Sequence, residues 1–176
     1  MEGCTIYGYK NSRKEAFEAR NLDVKDIAKL IRKDLKKAYP DIKISTTISR
    51  GGINSIRCEI KQIPLKYLKD NDEYHSYAMG KAFSKWYDND IALKEANKDL
   101  ELFNDIKKGH GHCYKEVDGY NYKYHLNYGM IKENVMNDLT KIHDAYNYDN
   151  SDIMVDYFEV GYCGNVSIDY DVIIVD

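Results

Sequence analysis

His110, His112 and Cys113 crowd into the stretch KKGHGHCYKEVDGYNYKYHLNYGM, Lys107 to Met130, and His125 follows within it. Imidazole and thiolate are zinc ligands, and a tetrahedral centre needs three or four of them to converge. A His-x-His-Cys run meets that need if the chain folds back so that His125 or Cys163 completes the set. The spacing argues otherwise: paired CxxC, HxxxH with a second ligand pair, and HExxH are all absent. Cys113 with His110 or His125 as base is the second chemistry to consider. It requires an orienting group and an oxyanion site, and no GxSxG elbow accompanies it. Gly51-Gly52 lies between two strand-like segments and not ahead of a helix, so no phosphate-cradling loop is expected there. The stretch reads as a glycine-flanked surface loop with His110 and His112 towards solvent. No enzymatic activity, bound metal or cofactor is expected. His110, His112, Cys113 and His125 are the residues a metal would use.

Asp149, Asp152 and Asp156 in YDNSDIMVDYF raise the idea of a calcium or magnesium site, but Met154 stands where an EF-hand calcium loop needs glycine. Asn147, Asp149, Asn150 and Ser151 suit a capped turn better.

Charge offers a different chemistry, that of binding. The net charge is −3, yet residues 1–70 hold 16 Lys+Arg against 9 Asp+Glu, whereas 71–176 hold 10 against 20. Such a chain presents a basic face to phosphates, an acidic face to a basic groove, or halves that neutralise each other on folding. Lys29, Arg32, Lys36, Arg50 and Arg57 are the expected basic contacts to nucleic acid or a partner, and Lys61 adds to their charge. Asp152, Asp156 and Glu159 are the expected acidic contacts, with Asp169 and Asp171 nearby in sequence, placed to mimic phosphates before a nuclease.

The elements that must position these residues follow from periodicity. LDVKDIAKLIRKDLKKAYPD carries Ile27, Leu30, Ile31, Leu35 and Ala38 at helical spacing, with Asp23 as N-cap and Pro40 as terminator. Its other face is Lys25, Lys29, Arg32, Lys33, Lys36 and Lys37. IKISTTIS and INSIRCEI flank Arg50-Gly51-Gly52, which predicts an antiparallel hairpin whose faces carry Ile42, Ile44 and Ile48, then Ile56, Cys58 and Ile60. Residues 71–107 read as two helices, the second capped at Asp88–Asp90 and with Leu93, Leu100, Phe103 and Ile106 inward. Val117-Asp118-Gly119 signals a short hairpin turn. Ile131, Val135, Leu139 and Ile142 predict another amphipathic helix, and the C-terminal segment predicts two strands around Gly161–Asn165.

Hydrophobic residues make up 43% of 176, enough to bury a core, and the 17 Tyr against 4 Phe and 1 Trp supply amphipathic rings for half-buried surfaces. The first residues do not read as a signal peptide and no run of 18 apolar residues occurs, so neither secretion nor membrane insertion is expected. With no CxxC pair, Cys4, Cys58, Cys113 and Cys163 read as thiols in a reducing compartment, the cytoplasm.

Two segments resemble a known family. LKKAYPDIKIS, Leu35 to Ser45, is similar to the helix-to-strand junction of the large polyvalent protein associated domain, type twenty-nine. AYNYDNSDIMVDYF, Ala145 to Phe158, with GNVSI, Gly164 to Ile168, resembles a further block of that family. The resemblance implies a setting in phages, plasmids and integrative elements and carries no catalytic residue set.

The expectation is therefore an α+β protein in one domain, 1–176, with amphipathic helices on antiparallel hairpins and helix-strand-strand units over 22–64 and 131–176. It is expected to work as a mobile-element accessory protein, of the counter-defence (anti-restriction or anti-CRISPR) type, that engages a host defence or nucleic-acid-processing complex. Direct nucleic-acid binding is the alternative, and a small metal-dependent enzyme at the His110–His125 stretch the third.

Overall fold

A computed structural model describes residues 21–49, 54–85, 88–108, 111–117, 120–147 and 162–176. The fold is α+β. Helix α1 spans Val24–Ala38, strand β1 Lys43–Ser49 and strand β2 Ser55–Pro64. Helices α2 (Asn71–Lys85) and α3 (Asn89–Lys107) follow, then strands β3 (His112–Val117) and β4 (Tyr120–His125), helix α4 (Glu133–Asp144) and strand β5 (Val166–Val175). β1, β2 and β5 form a mixed three-stranded sheet in the order β1-β2-β5, and β3 with β4 a two-stranded antiparallel one. The chain divides into two compact units, Met1–Ile60 with Asn137–Ser167, and Lys61–Met136 with Ile168–Asp176.

In the first unit, the Asp23 carboxylate accepts from the Lys25 amide at 2.8 Å and satisfies one of the orphan donors that open α1. The helix ends where Pro40 cannot continue it. It buries Val24, Ile27, Ala28, Ile31 and Leu35; Leu30 is half-buried and Ala38 exposed, so the apolar stripe is centred one residue round from the expected one. β2 carries Ile56, Cys58 and Ile60 on one fully buried face, as its alternation predicts. β1 shows only half-buried residues at Ile44, Thr46 and Ile48, the pattern of an edge strand. Cys163 enters beside β2 in parallel, bridged to Ser55, and the Asn165 carbonyl accepts from the Cys58 amide at 3.0 Å. Gly164 has φ +148, and a Cβ there would collide with the Ile56 carbonyl, so no other residue lets the chain approach β2 so closely. Of the two C-terminal strands expected, β5 is present and residues 154–160 lie outside the described residues. The Gly51-Gly52 turn lies outside them as well.

His143 of α4 holds this unit together in a way its sequence does not advertise. It is 1% exposed, with Nε2 3.0 Å from the Ile56 carbonyl and Nδ1 2.6 Å from the Asp144 carboxylate. The Tyr162 ring meets it edge-on at 5.4 Å, and the Tyr162 hydroxyl donates to the His143 carbonyl. Burial pushes the Tyr162 phenol above its ordinary range, so the hydroxyl stays a donor.

In the second unit, α2 opens on a capping box: Asp70 accepts from the Glu73 amide at 2.8 Å and the Glu73 carboxylate accepts from the Asp70 amide at 3.2 Å. Asp88 caps α3 through the amides of Asp90 and Ile91. The two helices form a hairpin whose buried residues are Tyr74, Ala78 and Ala82 against Ala92, Ala96, Leu102, Phe103 and Ile106, and Tyr74 packs on Phe103 at 4.3 Å. Leu93, expected inward, is 44% exposed. Small alanines let the helices approach closely and take the inward positions a leucine was assigned. Among the described residues, no helix is long and apolar enough to cross a membrane.

Candidate functional site

The histidine-rich stretch of the second unit is a hairpin and not a loop. Its register sets Val117 opposite Tyr120, on either side of the Asp-Gly turn signal read in the sequence. His112 stands directly opposite His125. The Leu126 amide donates to the Gly111 carbonyl at 2.8 Å, so 111/126 is a hydrogen-bonded pair and His112/His125 is the adjacent non-hydrogen-bonded one, where side chains lie closest. Their ring centroids are 6.2 Å apart.

Cys113, one residue on, must point to the opposite face of the strand. Its thiol reaches the Leu102 carbonyl of α3 at 3.8 Å. The pleat therefore separates His112 and His125 from Cys113, and neither the metal set nor the Cys-His dyad considered from the sequence is assembled from these three residues. His110 lies outside the described residues. Nor does His112 point freely to solvent as expected: its side chain is 21% exposed, and its Nδ1 is buried without a hydrogen bond, 4.0 Å from Asp171. The His125 Nδ1 donates to the Tyr170 carbonyl at 2.9 Å. Asp171 is committed to Lys123 at 2.8 Å, and that ammonium holds its carboxyl below the usual range. Among the described residues, no three His, Cys, Asp or Glu side chains form a group able to hold a metal.

The basic candidates divide between two faces in the first unit. Lys25, Lys29, Arg32, Lys33, Lys36 and Lys37 are all exposed on α1, opposite its buried stripe. Lys29 pairs with Asp26 at 2.7 Å, with both side chains open to solvent. Arg32, while exposed, reaches across to donate to the Thr46 carbonyl of β1 at 3.2 Å. It also lies close enough to Cys58 for its charge to oppose the upward push that burial gives that thiol. α1 thus covers the Cys58 face of β2, and Arg57, the next residue back, is exposed on the other face. Arg57 does not join the lysine stripe, and Arg50 lies outside the described residues.

Asp152, Asp156 and Glu159, the acidic candidates, lie outside the described residues, as does Asp149. Asp169 and Asp171 lie in the second unit and do not form a free acidic cluster. Asp169 is ion-paired to Lys61, which lowers its carboxyl below the usual range, and Asp171 to Lys123. The Lys61–Asp169 pair joins the basic and acidic parts of the chain, whereas Lys123–Asp171 lies within the acidic part.

A cleft of about 540 Å³ in the first unit had no counterpart in the sequence reading. Asp34, Ala38 and Tyr39 from the end of α1 line it with Asp138, Lys141, Ile142, Ala145 and Tyr146 from the end of α4. The two helices clasp reciprocally. The Tyr39 hydroxyl donates to Asp138 at 3.1 Å, and the Tyr146 hydroxyl donates to Asp34. Ala38-Tyr39 and Ala145-Tyr146, an Ala-Tyr pair closing each helix, are the one trace of this arrangement in the sequence.

No family model, curated protein or solved structure matches the chain.

Proposed function

We propose that the protein works by binding and not by catalysis, and that the α1 stripe is its contact surface for nucleic acid, free or held in a nucleic-acid-processing complex. The observation that carries this reading is the exposure of Lys25, Lys29, Lys33, Lys36 and Lys37 along one face of a helix whose opposite face is core. From Lys25 to Lys37 the helix rises about 18 Å, the span of about five phosphates along one strand of a duplex. Lysines on a rigid, capped helix track such a backbone without reading bases, so the expected binding is insensitive to sequence. The separation of Cys113 from His112 and His125 supports the choice of binding over nucleophilic catalysis. The likeness of Leu35–Ser45 and Ala145–Phe158 to the polyvalent-protein domain adds a mobile-element setting. There, a protein that covers nucleic acid or occupies a host complex serves as an accessory or counter-defence factor.

The test is retention of the full chain on immobilised duplex DNA, with Lys29→Glu and Lys36→Glu combined. Loss of retention with unchanged thermal stability supports the reading. Unchanged retention rules out this face.

A further inference from the structure

We infer that the cleft between the ends of α1 and α4 is a binding site for an organic cation of the alkylammonium or guanidinium class. This goes beyond the lysine stripe, because the cleft lies off that face of α1, on the side that carries Asp34 and Ala38.

Three independent features converge there. The first is space: about 540 Å³ falls within the roughly 300–1,000 Å³ common to small-molecule sites. The second is charge. Asp34 and Asp138 face the cleft from opposite walls, and each is oriented by a tyrosine hydroxyl from the other helix. Those hydroxyls occupy one oxygen of each carboxylate, Oδ2 in both cases. Asp34 Oδ1 accepts nothing among the described residues, and Asp138 Oδ1 faces Lys141 at a loose 3.7 Å. The third is the backbone. Both walls are C-terminal helix ends, where the helix dipole favours positive charge. The rings of Tyr39 and Tyr146 add faces over which an ammonium or guanidinium group is attracted.

Lys141 stands in the cleft as an internal competitor. Its side chain is 62% exposed and that of Asp138 50%, so water screens the pair and an arriving cation displaces the ammonium readily. An anion would meet two carboxylates and two helix C-termini. A neutral ligand would leave Asp34 Oδ1 without a donor.

The experiment is calorimetric titration of the full chain with two probes, spermidine and N-acetyl-arginine amide, in wild type and in Asp34→Asn, Asp138→Asn and Lys141→Met. Asparagine keeps an oxygen for the tyrosine hydroxyl, so the clasp persists while the charge goes; thermal unfolding confirms it. The expected result is binding of at least one probe, weakened about tenfold to hundredfold in each asparagine variant and strengthened in Lys141→Met. Preference for spermidine identifies a free polyamine as the source of the cation. Preference for the arginine amide identifies a side chain presented by another protein. Absence of binding by both probes up to about 1 mM overturns the inference. So does an affinity unchanged by the asparagine substitutions.

Discussion

The hydroxyl of Tyr39, the residue that closes α1, donates to the carboxylate of Asp138 on α4 across 3.1 Å, although the two lie 99 positions apart in the chain. Tyr146, just past the end of α4, returns the contact to Asp34 on α1. A part-buried hydroxyl-to-carboxylate bond of this kind contributes about 1 kcal/mol. Tyr39→Phe and Tyr146→Phe are each expected to lower the unfolding free energy by that amount, read as a lower urea midpoint with no change in slope. A midpoint equal to wild type in both variants would show that the clasp does not hold the helices together.

The two ion pairs of the second unit make its stability depend on pH at both ends of the scale. Lys61 and Lys123 hold the carboxyls of Asp169 and Asp171 below the ordinary range. Carboxylates lowered on folding stabilise the protein above their unfolded value of about 3.9, and that contribution is lost as pH falls through the lowered folded values. Lys123 is raised, chiefly by its hydrogen bond to Asp171, so its contribution is present below about 10.4 and is lost as pH rises through the raised value. Thermal midpoints recorded across the acid range should fall less steeply for Asp169→Asn than for wild type. Parallel acid limbs would contradict the assignment.

Cysteine reactivity should follow burial. Cys58 is fully buried and desolvation pushes its thiol up, whereas Cys163 is exposed. The thiolate is the reactive form. Mass-mapped iodoacetamide labelling of the native protein is expected to modify Cys163 and to spare Cys58 until denaturant is added. Equal labelling of the two in the native state would contradict the packing of β2.

What the sequence made legible was local. Asp23 and Asp88 were readable as caps because a cap needs only a side-chain oxygen two or three residues before an amide. Ile56, Cys58 and Ile60 were readable because a strand alternates. Leu93 misled because alanine carries little hydrophobic weight, and the inward face of α3 is set instead by Ala92 and Ala96 meeting the alanines of α2. His112 and Cys113 looked like partners in the sequence; once β3 is a strand, their adjacency is what parts them. Arg57 was grouped with Lys29 for want of knowing which face of β2 α1 covers. His143 and the Tyr39–Asp138 clasp left almost no trace, because each depends on a partner distant in the chain whose identity only the packing supplies.

The most direct test of the central claim is the salt dependence of binding to a fluorescently labelled duplex, read by anisotropy. About five lysine–phosphate contacts predict that affinity falls by two to three orders of magnitude, roughly, between 50 and 200 mM salt. Lys29→Glu, Lys33→Glu and Lys36→Glu together should remove most of that slope. Wild-type protein that does not bind at low salt, or a triple variant that keeps the wild-type affinity and slope, would contradict the account.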